Sequence, residues 1–299
     1  MKKRQKIKKK YWQLYLILLP TLLYVLVFYY GPMYGILMAF QDYKPKSGIW
    51  GSEWVGLKHF IRFINYPDFW KMIRNTLAIS LYSLATFPIA IIMALAMNEI
   101  RSSKFKKTVQ MVTYAPYFLS TVVVCSLIML LVGREGPLGY LYTAITGESK
   151  NLLTIPKFFS SIYVWSGVWQ TTGWSTVIYM AALSGVSGDL IEAATIDGAS
   201  RLQIIRYVNI PSIMPTIVIT FILSMGSILS VGFEKIFLLQ NDLNTEASQV
   251  LATYTYAVGI QGGQFSYSTA IGLFNAVVNI IVLLICNAVS KKVSGTGIW

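Results

Sequence analysis

The run LAISLYSLATFPIAIIMALAM, residues 77–97, carries no charge over 21 positions. A helix that crosses the hydrocarbon core of a bilayer needs about 20 mostly apolar residues. A soluble domain would have to bury such a run on every side, and this chain repeats the feature. Six segments of the kind are read at about 15–40, 75–97, 108–132, 161–184, 213–233 and 267–290. In lipid every backbone N–H and C=O must be satisfied within the protein, and a helix does so within its own segment. The expected fold class is an all-α integral membrane protein with six transmembrane helices. Charged residues make up 12% of the 299, against about 25% in soluble domains. Nothing outside the spans is large enough to bury a core of its own. The fourth span is the least apolar, and its polar residues predict burial among other helices. The first follows MKKRQKIKKK and so has the flank of a secretory signal. It runs longer than a signal's apolar region, however, and GPMYGILMAF is a poor cleavage site. It is expected to persist as a membrane anchor.

Lysine and arginine orient the spans. An even number of spans puts both termini on one side, together with the segments at 98–107 and 185–212. That side holds 15 of the 25 basic residues, among them the cluster Lys2–Lys10, but only 4 of the 12 acids. The positive-inside rule then places both termini in the cytoplasm. The basic balance reports topology and attraction to anionic lipid, and nucleic acid is not an expected partner. Residues 1–14 read as a basic cytoplasmic segment and 291–299 as a cytoplasmic tail.

The cytoplasmic insert at 185–212 is unusually polar for its surroundings. Asp189 is placed to cap a short helix, with Glu192 three residues on, and Asp197-Gly198 is a turn signal that ends it. A second amphipathic piece follows, with Leu202, Ile205 and Val208 on one face and Arg201 and Arg206 away from it. Pro211 and Pro215 mark the start of span five. Two helices in one loop suggest a docking element; a segment lying on the lipid headgroups is the alternative.

The insert resembles the EAA motif of ATP-binding-cassette importer permeases. Glu192-Ala193-Ala194, Asp197-Gly198-Ala199, then Ile210-Pro211 and Pro215 keep its spacing, with Val208 and Ile210 as conservative departures. PMYG at 32–35, GSEWVGLKHF at 51–60, NTL at 75–77 and the terminal GIW are similar to the subfamily for complex saccharides. The resemblance implies an importer transmembrane domain over 15–290, in a multi-pass protein of a bacterial inner membrane. It implies that 185–212 is a coupling loop seated in a cytoplasmic ATPase through Glu192, Ala193, Ala194, Asp197, Gly198 and Ala199. It further implies a second homologous permease subunit, two copies of the ATPase, an extracytoplasmic solute-binding protein and an oligosaccharide substrate. Alanine at three of these positions allows close approach to a partner, and Gly198 permits a turn that a Cβ would block. Glu192 can serve a partner, its own helix, or both.

No cofactor is expected in this chain, and it is not expected to be an enzyme. GxxxxGK[ST] is absent and no Gly-Lys dipeptide occurs, so MgATP would belong to the partner ATPases. A secondary carrier would need ionisable residues within its spans; the span cores have essentially none. An importer permease for a peptide or polyamine shares the EAA motif and stays open as an alternative.

Polar stripes suggest a pathway. Span six carries Ser268, Gly272, Asn275 and Asn279 on one helical face; span five carries Thr216, Thr220, Ser224 and Ser227. Span four offers Trp165, Trp169, Gln170 and Trp174. Amides, hydroxyls and aromatic faces suit a sugar chain, although such residues also serve as glue between membrane helices. Cys125 and Cys286 read as apolar filler, and His59, the only histidine, does not suggest a metal site. The outer-loop aromatics Trp50, Trp54, Tyr66 and Trp70 either dock a binding protein or lie at the bilayer surface.

Overall fold

The computed structural model describes residues 12–298, without the side chain of Ser294. The N-terminal lysine cluster and Trp299 lie outside the described residues. The chain divides into two compact units: the described residues up to Asn65 with Val258–Leu273, and Tyr66–Ala257 with the described residues from Phe274 onward.

In the first unit, helix α1 (Trp12–Val25) widens into a π turn at Leu26–Tyr30 and continues as a 3₁₀ helix over Gly31–Phe40. Pro32 explains the widening. A proline ring cannot donate and crowds the carbonyl four residues back, and the π turn moves that carbonyl aside. A small antiparallel pair follows, β1 (Gln41–Asp42) with β2 (Glu53–Trp54), then helix α2 (Lys58–Ile64). His59 is buried and its Nε2 donates to the Gln41 carbonyl at 3.1 Å. The Tyr43 N–H donates to Ser266 Oγ at 2.9 Å, and the Arg62 guanidinium lies 4.2 Å above the Tyr267 ring. His59 is thus a structural residue of this segment.

The second unit starts with α3 (Phe69–Ala85) and α4 (Phe87–Asn98), separated only by Thr86 ahead of Pro88. Next come α5 (Ser103–Tyr114), α6 (Thr121–Val132) and α7 (Pro137–Thr146). The expected third span, 108–132, is not one helix. A 3₁₀ turn containing Pro116 ends α5, and Ser120 restarts the chain by accepting the Val123 N–H at 3.3 Å. The apolar stretch long enough to cross runs instead over Thr121–Thr146.

Helix α8 (Pro156–Ser184) is the spine of this unit. It packs against α3, α4, α5 and α6, as expected from its polar composition. Gly173 makes the α5 contact possible, since a Cβ there would collide with the Thr113 carbonyl. The chain then bends by 74° into α9 (Gly188–Ile196). Ser187, not Asp189, occupies the N-cap position of α9, and its side chain makes no capping bond. Asp189 lies inside the first turn, where its charge still suits the helix N-terminus.

After Gly198, the Ser200 N–H donates to Gln203 Oε1 at 2.7 Å and starts α10 (Arg201–Ile204). A second π turn, Ile205–Asn209, leads directly into α11 (Ile210–Met225). The expected second short helix is therefore the first part of a continuous helix, Arg201–Met225. The π turn again sits just before a proline, Pro211. That helix stops at Met225 rather than near 233.

The segment between α11 and the last helix holds α12 (Phe233–Leu239), α13 (Thr245–Ser248) and α14 (Leu251–Tyr256). Side-chain amides clamp it. Asn75 donates to the carbonyls of Glu246 and Gln249 at 2.8 and 3.1 Å. Buried Asn244 donates to Leu153 and Leu239, each at 3.0 Å, while its Oδ1 accepts from Ser248 Oγ at 2.8 Å. Helix α15 (Phe265–Ser294) closes the chain and contributes to both units.

Among the described residues, five stretches are long and apolar enough to cross a bilayer, and α8 joins them only when taken together with α9. The chain is a mostly helical membrane protein. Two apolar clusters organise the second unit. One gathers Ile79, Cys125, Ile128, Phe159 and Ile236; the other gathers Ala90, Ala94, Tyr179, Leu183 and Ile213.

Candidate functional site

A cavity of about 580 Å³ opens within the second unit, walled by α3, α4, α8, α11 and the segment leading into α12. It borders both apolar clusters, sharing Tyr163 and Val231 with one and Phe87, Ala90 and Tyr179 with the other. Its lining is rich in hydroxyl groups, and they repeat at helical spacing for a simple reason. In an apolar helix a Ser or Thr hydroxyl can donate to its own helix three or four residues back. Thr171 donates to the Gly167 carbonyl at 2.9 Å and Ser175 to Thr171 at 3.0 Å. Thr220 donates to Thr216 at 2.8 Å and Ser224 to Thr220 at 2.9 Å. The Tyr179 hydroxyl lies 3.0 Å from Thr220 Oγ1 and ties α8 to α11.

The stripe residues divide between cavity and packing. Gln170, Trp174, Thr220, Ser224 and Ser227 line the cavity. Gln170 Nε2 reaches the Leu119 carbonyl at 3.4 Å, and Trp174 stacks on Tyr117 with centroids 4.8 Å apart. Trp165 and Trp169 do not line the cavity; the Trp165 indole donates to the Tyr82 hydroxyl at 2.8 Å. Asn279 is 9% exposed and also stands outside the lining. Its Oδ1 accepts the Leu229 N–H at 3.0 Å, and its Nδ2 donates to Ser230 Oγ at 2.9 Å and to Asn275 Oδ1 at 3.3 Å. Asn275 and Asn279 thus act as a brace that holds the chain after α11.

Sequence reasoning missed Ser80, Ser83, Thr86, Tyr163 and Lys235, all of which line the cavity. Lys235 is its only charged residue. The ammonium donates to the Tyr163 carbonyl at 3.1 Å and sits 5.0 Å from the Tyr163 ring centroid. Burial lowers its pKa to about 8, which leaves it mostly protonated at neutral pH.

Between the ends of α8 and α11 the insert projects outward. Gly198 adopts φ +78°, the left-handed conformation that ends a helix, and its N–H bonds the Thr195 carbonyl at 3.1 Å. Ile196 is 85% exposed and Leu202 78%, one on each side of this turn. Glu192, Ala193 and Asp197 are exposed beside them, while Ala194 and Ala199 are half-buried. Exposed branched aliphatics flanking a fixed turn are what a docking surface offers.

Comparison with known proteins agrees with this layout. Residues 86–295 match the family described as "Binding-protein-dependent transport system inner membrane component". The polygalacturonan/rhamnogalacturonan transport system permease protein YteP of Bacillus subtilis (strain 168) is 44% identical over 295 residues, spanning 98% of this chain and 91% of that protein. The structure of a bacterial ABC transporter involved in the import of the acidic polysaccharide alginate superposes with a TM-score of 0.86 at 37% identity, covering 96% of this chain and 97% of the other. The same fold occurs in a bacterial alginate ABC transporter in complex with its alginate pentasaccharide-bound periplasmic protein, with a TM-score of 0.86 at 36% identity, covering 97% of this chain and 98% of that one. The chain belongs to the family of inner-membrane components of binding-protein-dependent transport systems.

Proposed function

We propose that this chain forms one half of the transmembrane path of an ATP-driven oligosaccharide importer. A second permease subunit completes the path, two ATPase subunits bind the cytoplasmic face, and a solute-binding protein delivers the sugar from outside. One observation carries this reading: α8 and α11 hold the cavity wall along their lengths and the projecting loop between their ends. Rigid-body motion imposed on the loop therefore reaches the cavity through two helices. The names of the relatives, which cite polygalacturonan and alginate, support a saccharide. Hydroxyls, the Gln170 amide and the Trp174 indole are groups that hydrogen-bond and stack against sugar rings.

The test is uptake of radiolabelled oligosaccharide into vesicles containing the whole transporter. A partner ATPase with its phosphate-binding lysine replaced is expected to lower uptake to background. Uptake that persists, driven by an ion gradient alone, would indicate a secondary carrier instead.

The proposed topology has six spans and both termini in the cytoplasm, with α8 as the fourth span and α9 turned along the inner face. In a cysteine-free background, Ser149→Cys should react with an impermeant maleimide only from outside and Thr195→Cys only from inside. Labelling in the reverse sense would invert the assignment.

A further inference from the structure

Lys235 raises a problem that oligosaccharide transport in general does not solve. It is 8% exposed, and taking an ammonium out of water is costly unless an anion or a full set of acceptors repays it. Among the described residues the ion pairs are Lys71–Asp68 and Lys150–Glu148, and neither involves Lys235. The neighbouring Glu234 is exposed and makes no pair with it. The ammonium has three N–H donors. One reaches the Tyr163 carbonyl, and the Tyr163 ring adds a partial cation–π contact. That leaves the charge half-answered.

The surroundings keep the remaining side clear. Gly167 lies across from the ammonium, and a Cβ there would sit 3.5 Å from Nζ. A larger side chain at 167 would cover the charge; glycine leaves it facing the cavity. The other lining groups are hydroxyls, amides and apolar surface, so no anion of this chain competes for the site. An apolar residue of similar length, such as methionine, would fill the position at less cost if the substrate were neutral.

We infer that Lys235 is a specificity-determining residue, and that the saccharide this cavity accepts carries carboxylates, as an oligomer of uronic acid does. The inference rests on the oligosaccharide reading above and narrows it. A single ammonium holds one carboxylate at a time, so a linear acidic chain advances past it residue by residue. The walls meet the hydroxyls that acidic and neutral sugars share; Lys235 tells them apart.

The experiment compares uptake of a galacturonic acid oligomer with that of its methyl ester at equal length. Vesicles contain the complete transporter and its binding protein, with wild-type, K235M or K235R permease. The readout is the ratio of acid to ester uptake, which cancels losses of expression or assembly common to both substrates. Wild type should favour the acid. K235M should lower the ratio roughly tenfold, the scale of one lost charged hydrogen bond, and K235R should keep it within about threefold of wild type. A ratio unchanged in K235M, whether both substrates fall together or neither falls, would show that Lys235 only ties α12 to Tyr163. A wild-type preference for the ester would also overturn the inference. Both of these outcomes leave oligosaccharide import standing. If wild type takes up neither chain while another oligosaccharide is imported, the inference falls and the oligosaccharide reading stands; if no oligosaccharide is imported, that reading itself fails.

Discussion

Replacing Gly198 by aspartate is expected to bring uptake to background while the protein still inserts and folds. The turn has φ +78° and open space around the position a Cβ would occupy, so the fold loses only the backbone preference. For an ordinary L-residue that preference is about 1–2 kcal/mol, and aspartate is among the residues that tolerate this region best. The larger effect lies outside the chain. A carboxylate beside Asp197 doubles the local negative charge at the tip of the loop, between exposed Ile196 and Leu202. An apolar contact surface does not accept a desolvated, unpaired charge. Co-purification of the ATPase should fall together with uptake, while the yield of membrane-inserted permease holds. Glu192→Ala is the milder companion, since it removes one exposed group worth roughly 1–3 kcal/mol if hydrogen-bonded to a partner. Wild-type ATPase recovery and uptake in Gly198→Asp would show that the loop is a surface segment with no docking role.

Gly173→Val should act on the fold instead. Its Cβ would run into the backbone carbonyl of Thr113, and backbone cannot rotate aside as a side chain does. Helix α5 must then move away from α8, which separates part of the packing around the central helix. Overpacking of this kind costs about 1–3 kcal/mol and more where backbone is the obstacle. The expected result is a strong loss of monodisperse protein in detergent and a lower unfolding temperature. Gly272→Ala is the control, because nothing lies within 4 Å of a Cβ there; it should behave as wild type. A normal elution profile for Gly173→Val would show that α5 and α8 do not touch through this glycine.

What could be read from the chain beforehand follows the reach of each physical signal. Apolar length is a long-range, additive property, so the membrane class and most of the long apolar helices were legible. The break after Tyr114 was not. Pro116 and Ser120 are single residues inside an apolar stretch, and hydropathy averages over them. The π turns were equally hidden: those at Leu26–Tyr30 and Ile205–Asn209 each precede a proline, whereas a third at Ala257–Gln261 has none after it. Helical periodicity found Thr220 and Ser224 on one face but cannot say what the face meets. It gave Asn275 and Asn279 the same standing, and the fold uses that pair to brace Leu229 and Ser230. Lys235 escaped notice because in sequence it reads as one more lysine in a loop between spans. Only the fold brings it beside Tyr163 and Gly167, residues about 70 positions away.

The hydroxyl groups along α8 and α11 have a further effect. The protons of Thr171, Ser175 and Ser224 are committed to carbonyls of their own helices, so these oxygens meet the cavity as acceptors. A passing sugar, which brings many O–H donors, therefore meets a surface of acceptors that needs no rearrangement to receive it. Each exchange of a water for a sugar hydroxyl is nearly neutral, with a net gain of about 1 kcal/mol or less per bond. Such a wall gives low friction. Away from Lys235 it wets the saccharide continuously without a deep resting site, which suits a conduit that must release whatever it admits.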